Sequence, residues 1–155
     1  IMPTKSLDNS STTLLLSEVL RKVSNAKTKD EKIKILRDNN SAALRALLIW
    51  NFDDSIKSAI PDGDVPYTPN DAPAGTDHSR LSHEYRGFYR FCRGGDNRLS
   101  DMKRESMFIQ LLEGLHKDEA ELVCLVKDGN LNKGYKRITK AVVSGAFPQI
   151  EWGGR

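Results

Sequence analysis

No stretch of this chain alternates apolar and polar residues over the length of a strand. Its apolar residues recur at intervals of three and four instead, a spacing that gathers them on one stripe of a helix. Leu15, Leu16, Val19, Leu20 and Val23 mark a first helix, with Ser11 placed to cap it. Thr28-Lys29-Asp30-Glu31 reads as a capping box, with each side chain satisfying the other's backbone amide, and Ile33, Ile35 and Leu36 follow as its apolar positions. Asn39 and Asn40 are expected to break that helix and cap the next, which runs through Leu44, Leu47, Leu48 and Phe52, and Asp53-Asp54 reads as a further helix start. Ser79 is placed to cap a helix through Cys92 that Gly94-Gly95 ends. Ser100 begins one with Met102, Ile109, Leu112 and Leu115, and Asp118 one with Leu122, Leu125 and Val126.

Between these helices, residues 61–76 (PDGDVPYTPNDAPAGT) hold prolines and glycines that block both helix and central strand, so a surface loop is expected there. The 155 residues suffice for one real core and not comfortably for two. The expected fold is therefore all-α, a single compact multi-helix domain over 1–155, with no internal repeat.

Charge location says more than the net charge of +3. Residues 80–104 carry Arg80, Arg86, Arg90, Arg93, Arg98, Lys103 and Arg104 against Glu84, Asp96 and Asp101; residues 123–145 carry Lys127, Lys133, Lys136, Arg137 and Lys140 against Asp128 alone. Behind Gly129 the pattern predicts a helix. On it Lys133, Lys136, Arg137 and Lys140 share one face, while Leu131, Tyr135, Ile138 and Val142 lie opposite. On the helix before Gly94, Arg86, Arg90 and Arg93 similarly oppose Leu81, Tyr85, Phe88 and Cys92. Amides exposed at Gly129, Asn130 and the start of the following helix would receive a phosphate oxygen, with Lys133 and Lys136 adding charge and Lys127 near the helix's negative pole. The competing interpretation is a solvated helix face. Backbone contact by about five cations predicts a slope of log affinity against log salt of roughly −4 to −5, with little sequence preference.

No catalytic constellation is evident. His78, His83 and His116 match no nucleophile or metal motif, and Asp118, Glu119 and Glu121 suit the first turn of a helix, where carboxylates favour the dipole. Neither a metal nor a cofactor is expected. Cys92 and Cys124 lack CxxC partners and read as buried, reduced thiols, as in a cytosolic protein. No segment reaches the roughly 18 apolar residues of a membrane span, so the expectation is a soluble chain with no membrane partner. Ile1 reads as a remnant ahead of a natural start at Met2, the polar beginning as poorly ordered, Trp50 as a core residue and Trp152 as a tail contact.

The segment from 122 to 148 resembles the signature of the helical DNA-binding domain at the N-terminus of ATP-dependent DNA ligases. Leu122, Leu125, Val126, Lys127 and Gly129, then Asn132, Ile138 to Ala141, and Phe147-Pro148 carry the likeness. The opening is similar to that of tailed-phage ligases, with its first amphipathic helix, the Thr28 to Ile35 helix, an Asn-rich break, a leucine-rich helix and SIKSAIPDG. The resemblance implies a domain that grips double-stranded DNA through phosphates across the minor groove, while ligation belongs to a separate nucleotidyltransferase domain with a KxDG lysine. Lys127-Asp128-Gly129 lacks the intervening residue, and residues 130–155 are too few for that domain, so no enzymatic activity is expected. The expectation is a non-catalytic, phage-encoded DNA-binding protein acting in replication, repair or protection in the host cytoplasm. The alternative is a phage protein-interaction module, either a host-factor binder or itself a virion component, that kept the fold without DNA binding and makes its contacts through the loop carrying Asp62, Asp64 and Asp71 and the helices before it.

Overall fold

The apolar stripes become helices that share one core. The computed structural model describes residues 14–73 and 78–153; the expected cap Ser11, the polar beginning, the Ile1 and Met2 start and the loop end at 74–76 lie outside them. The helices are α1 (Leu16–Asn25), α2 (Lys29–Asp38), α3 (Ala42–Phe52), α4 (Leu81–Glu84), a 3-10 helix (Tyr85–Phe91), α5 (Asp101–Gly114), α6 (Lys117–Lys127), α7 (Leu131–Gly134) and α8 (Lys140–Ala146). Among the described residues there is no strand, only two isolated bridges, Ser58 with Cys92 and Ser79 with Leu115. The fold is all-α. Helix α6 packs against α1, α3, α5 and α7, while α2 packs between α1 and α8. Leu20, Leu36, Leu44, Leu47, Leu48, Phe108, Leu112, Leu122, Val123 and Val126 are fully enclosed, each side chain contributing about 1.5–3 kcal/mol of transfer free energy.

Several helix ends differ from the expectation. Thr28 caps α2 by accepting from the Glu31 amide at 3.1 Å, but the Glu31 carboxylate meets the Thr28 hydroxyl at 3.0 Å rather than its amide, so only half the box forms. Helix α3 is capped by Ser41, which accepts from Leu44 N at 3.0 Å; Asn39 instead closes α2, donating from Nδ2 to Ile35 O at 2.9 Å. His116 begins α6, its Nδ1 accepting from Asp118 N at 3.1 Å, and Ser100 caps α5 by accepting from Lys103 N at 3.1 Å. Asp53 ends α3 instead of starting a helix. Its buried carboxylate accepts from Ser55 N and Gly153 N, both at 2.9 Å, and so fastens the C-terminal segment to the body. Met102 points to solvent, 84% exposed, because α5 turns Phe108 and Leu112 inward and Met102 falls off that stripe.

Glu119 has a role that a first-turn acid does not announce. It is 1% exposed, and its two carboxylate oxygens accept from Leu81 N and Leu16 N, each at 2.9 Å. These amides open α4 and α1 and have no partner within their own helices. Burial pushes the Glu119 carboxyl above the usual glutamate range, although the two amides pull it back.

The loop after α3 runs without helix or strand over 61–73 and is tied down by Thr68 N donating to Glu113 Oε2 at 2.8 Å and by Lys127. Beyond the 3-10 helix the chain reverses at Gly94, where φ is +84°. At Gly95 space is the constraint: a Cβ there would lie 1.8 Å from the Tyr89 carbonyl oxygen. Backbone atoms at that distance must move, so Gly95→Ala is expected to cost about 3 kcal/mol, the upper end for overpacking. Urea unfolding checks this; a midpoint equal to the parent's would show that the turn yields freely.

Candidate nucleic-acid interface

The sequence YRGFYRF forms a 3-10 helix rather than a continuation of α4, and its spacing explains why. Tyr85, Phe88 and Phe91 are three apart and eclipse on one ridge of a helix with three residues per turn. Phe88 and Phe91 are buried, with Phe88 5.1 Å from Trp50 and Phe91 5.1 Å from Phe108 between ring centroids. A second ridge, Arg86, Tyr89 and Cys92, faces an open groove; the third, Gly87 and Arg90, faces a separate hollow with Glu84, Met107 and Gln110. The expected single stripe of Arg86, Arg90 and Arg93 therefore does not form, because the period is 3.0 and not 3.6.

The groove is an open one of about 660 Å³ between α3 and the 3-10 helix. One wall carries Arg86, Tyr85 and Tyr89; Arg93, Gly94 and Gly95 close an end; α3 supplies Ala42, Arg45, Ala46 and Ile49. Three arginines line it and no aspartate or glutamate does. The Arg93 amide is held by Lys57 O at 2.7 Å, and the following turn is braced by buried Arg104, which donates to Arg90 O and Asp96 O, each at 2.9 Å. That bracing removes Arg104 from the solvent-facing cations. Arg45 was not singled out from the sequence. Its signal is a second stripe on α3, Ala42, Arg45, Ala46 and Ile49 at helical spacing, whose alanines leave the groove floor low.

The Gly129 turn does not open toward a ligand. Gly129 has φ +69° and Asn130 N donates to Leu125 O, Gly129 N to Val126 O, both at 2.9 Å, a Schellman closure of α6. Leu131 N donates to Asn51 Oδ1 at 3.0 Å. The amides at Gly129, Asn130 and Leu131 expected to receive phosphate are already engaged, and α7 is only one turn long. Lys127 is likewise internal: its side chain is 0% exposed and Nζ donates to Pro61 O at 3.0 Å, Gly63 O at 2.9 Å and Asp128 Oδ1 at 2.7 Å. A hollow beside this turn is lined by Asp53, Asp54, Asp62 and Asp128 together with Lys57 and Arg93. Carboxylates there repel phosphate, so Lys127, Gly129 and Asn130 leave the candidate site.

Lys133, Lys136, Arg137 and Lys140 are all exposed, and Leu131, Tyr135, Ile138 and Val142 are all buried, yet they do not share one helix. Helix α7 ends at Gly134, and α8 begins only after Thr139, which accepts from Val142 N at 3.2 Å. Between them Arg137 adopts φ +65°, a left-handed conformation costing about 1 kcal/mol for a side chain with a Cβ. The segment is held there by Arg21 donating to Gly134 O and Ser24 to Lys136 O, each at 2.8 Å, and by Ile138 N donating to Asn132 Oδ1 at 3.2 Å. Lys140 Nζ lies 4.8 Å from the Trp152 ring centroid. None of these four cations lines the arginine groove.

Cys92 borders the groove and Cys124 lies outside it. Neither forms a disulfide, both are half-buried rather than fully buried, and burial pushes the Cys124 thiol up to about 11. His78 and His116, which match no motif in the sequence, meet edge to face at 5.4 Å. Among the described residues no group of three His, Cys, Asp or Glu could hold a metal ion, and no helix is long and apolar enough to cross a membrane.

Residues 19–133 match the model of a family of unknown function (DUF6433). No curated protein and no solved structure matches the chain.

Proposed function

Since this chain belongs to DUF6433, a family whose function is unknown, we propose a function from its surface: a non-catalytic DNA-binding protein that holds the phosphate backbone with little sequence preference. The observation that carries this is the groove lined by Arg45, Arg86 and Arg93 with no carboxylate in its wall. In a chain with 21 acidic residues, a cavity of that size free of them holds a locally positive potential that concentrates anions. Guanidinium forks pair well with phosphate oxygens, and phosphate contacts position a strand without reading its bases. Exposed Lys133, Lys136, Arg137 and Lys140 form a second cationic segment able to add long-range attraction. The resemblance of residues 122–148 to the ligase DNA-binding domain supports the same class of partner, although the residues engaging DNA here are those of the groove.

The double substitution Arg86→Gln, Arg93→Gln is expected to weaken binding to a labelled duplex by more than tenfold. It should also make the slope of log affinity against log salt shallower by about 2, close to one released counterion per lost cation. Fluorescence anisotropy over a salt series measures both. An unchanged slope would sink the groove as the DNA contact; binding of an acidic protein partner with no DNA binding at all would favour an interaction module.

A further inference from the structure

We infer that the arginine groove takes an unpaired strand, seating a nucleobase against Tyr89 while Arg86 and Arg93 hold the flanking phosphates, so that DNA with an unpaired stretch binds ahead of intact duplex. This rests on the backbone-binding function proposed above and specifies its substrate. A groove that gripped only phosphates would need cations and polar groups along its length. This one has an apolar floor of Ala46, Ile49, Ile56 and Phe88 and two tyrosines on its wall. In duplex DNA the bases are stacked inside and their faces are covered, so those side chains would meet nothing. An unpaired base offers an apolar face that fits such a floor, and its own phosphates lie within reach of the cations on the rim.

Tyr89 is built for that contact. It is one of only two large hydrophobic side chains left exposed among the described residues, at 46%, and it sits on the groove ridge between Arg86 and Cys92. The Arg90 guanidinium lies 5.1 Å from its ring centroid, covering part of the ring and steadying it. Gly87 leaves room for this, since a Cβ there would come within 2.8 Å of Arg90 Nη1. Arg90 is thus a positioning residue for Tyr89, which accounts for its pointing away from the groove while Arg86 points in. Tyr85, half-buried on the same wall with Arg86 5.7 Å from its ring centroid, extends the aromatic surface toward the core. The open groove's volume of about 660 Å³ falls within the roughly 300–1,000 Å³ that holds small organic ligands, enough for a base and its sugar.

The test is fluorescence anisotropy on the full chain with three labelled probes of equal length: an oligothymidylate, an abasic strand with the same sugar-phosphate backbone, and an intact duplex. The oligothymidylate is expected to bind most tightly. Tyr89→Ala should lower its affinity about tenfold, the loss of one stacked base, and leave the other two probes unaffected. Tyr89→Trp should retain the preference and report it directly, because a base stacked on the new indole quenches its fluorescence. Abasic strand or duplex binding as tightly as oligothymidylate, with Tyr89→Ala inert, would overturn base seating while leaving the backbone grip intact. Failure of all three probes to bind at low salt would overturn both.

Discussion

Glu119→Ala is expected to lose about 4 kcal/mol of stability, a large share of the roughly 5–15 kcal/mol that holds a domain of this kind together. The buried carboxylate serves two helices at once, accepting from Leu16 N and Leu81 N at 2.9 Å each. Alanine leaves both amides enclosed without an acceptor, and a buried unsatisfied donor costs about 1–3 kcal/mol. The residues are far apart in sequence, so the loss also loosens α1 and α4 from α6 rather than fraying one helix end. Urea unfolding by circular dichroism measures it; a loss under 1 kcal/mol would show that water replaces the carboxylate.

Glu119 also sets a pH dependence. Burial raises its folded value above the usual glutamate value, so the native state holds this proton to higher pH than the unfolded chain. The stability it contributes is therefore fully present below the usual value and is lost as pH rises through the folded one. Glu119→Gln keeps one acceptor and cannot ionise. The stability gap between parent and Glu119→Gln should therefore change within that window and stay level above it.

Lys127→Met is expected to cost about 3–5 kcal/mol, the penalty for removing one partner of a buried ion pair. Methionine keeps the length of the apolar stem, so the change isolates the ammonium, which donates to Pro61 O, Gly63 O and Asp128 Oδ1. Without it two carbonyls lose their donor, the largely enclosed Asp128 carboxylate keeps only the Gly63 amide at 3.2 Å, and the start of the loop at 61–63 is held by that single bond to Asp128. Lys133→Gln, at an exposed position, should shift stability by no more than about 0.5 kcal/mol. Denaturant midpoints of the two variants side by side decide the matter: equal, small shifts would mean that Lys127 is as dispensable to the fold as a surface lysine.

The contrast between these two lysines shows where the sequence stopped being legible. Both sit near a helix end in a basic stretch, and nothing within several residues distinguishes them. Lys127 is drawn inward by carbonyls 64 and 66 positions away in the chain, contacts that local spacing does not encode. The basic face expected behind Gly129 went wrong for a different reason. Leu131, Tyr135, Ile138 and Val142 are buried as their spacing required, but Gly134 ends α7, and side chains of α1 hold the carbonyls of residues 134 and 136. In the 3-10 helix the clue was present in the sequence: aromatic residues at 85, 88 and 91 are spaced for a period of three, which separates Arg86 from Arg90.

The sequence by itself determined the fold class, most of the helices, the caps at Thr28 and Ser100, and the left-handed stop at Gly129. These follow from interactions within four or five residues along the chain, where periodicity and capping chemistry act. Only the tertiary structure decided which cations face solvent together, that Glu119 joins α1 and α4 to α6, and that Arg45 meets Arg86 and Arg93 across one groove. Those outcomes depend on which helix faces pack against each other, and an enclosed charge must find partners wherever the folded chain supplies them.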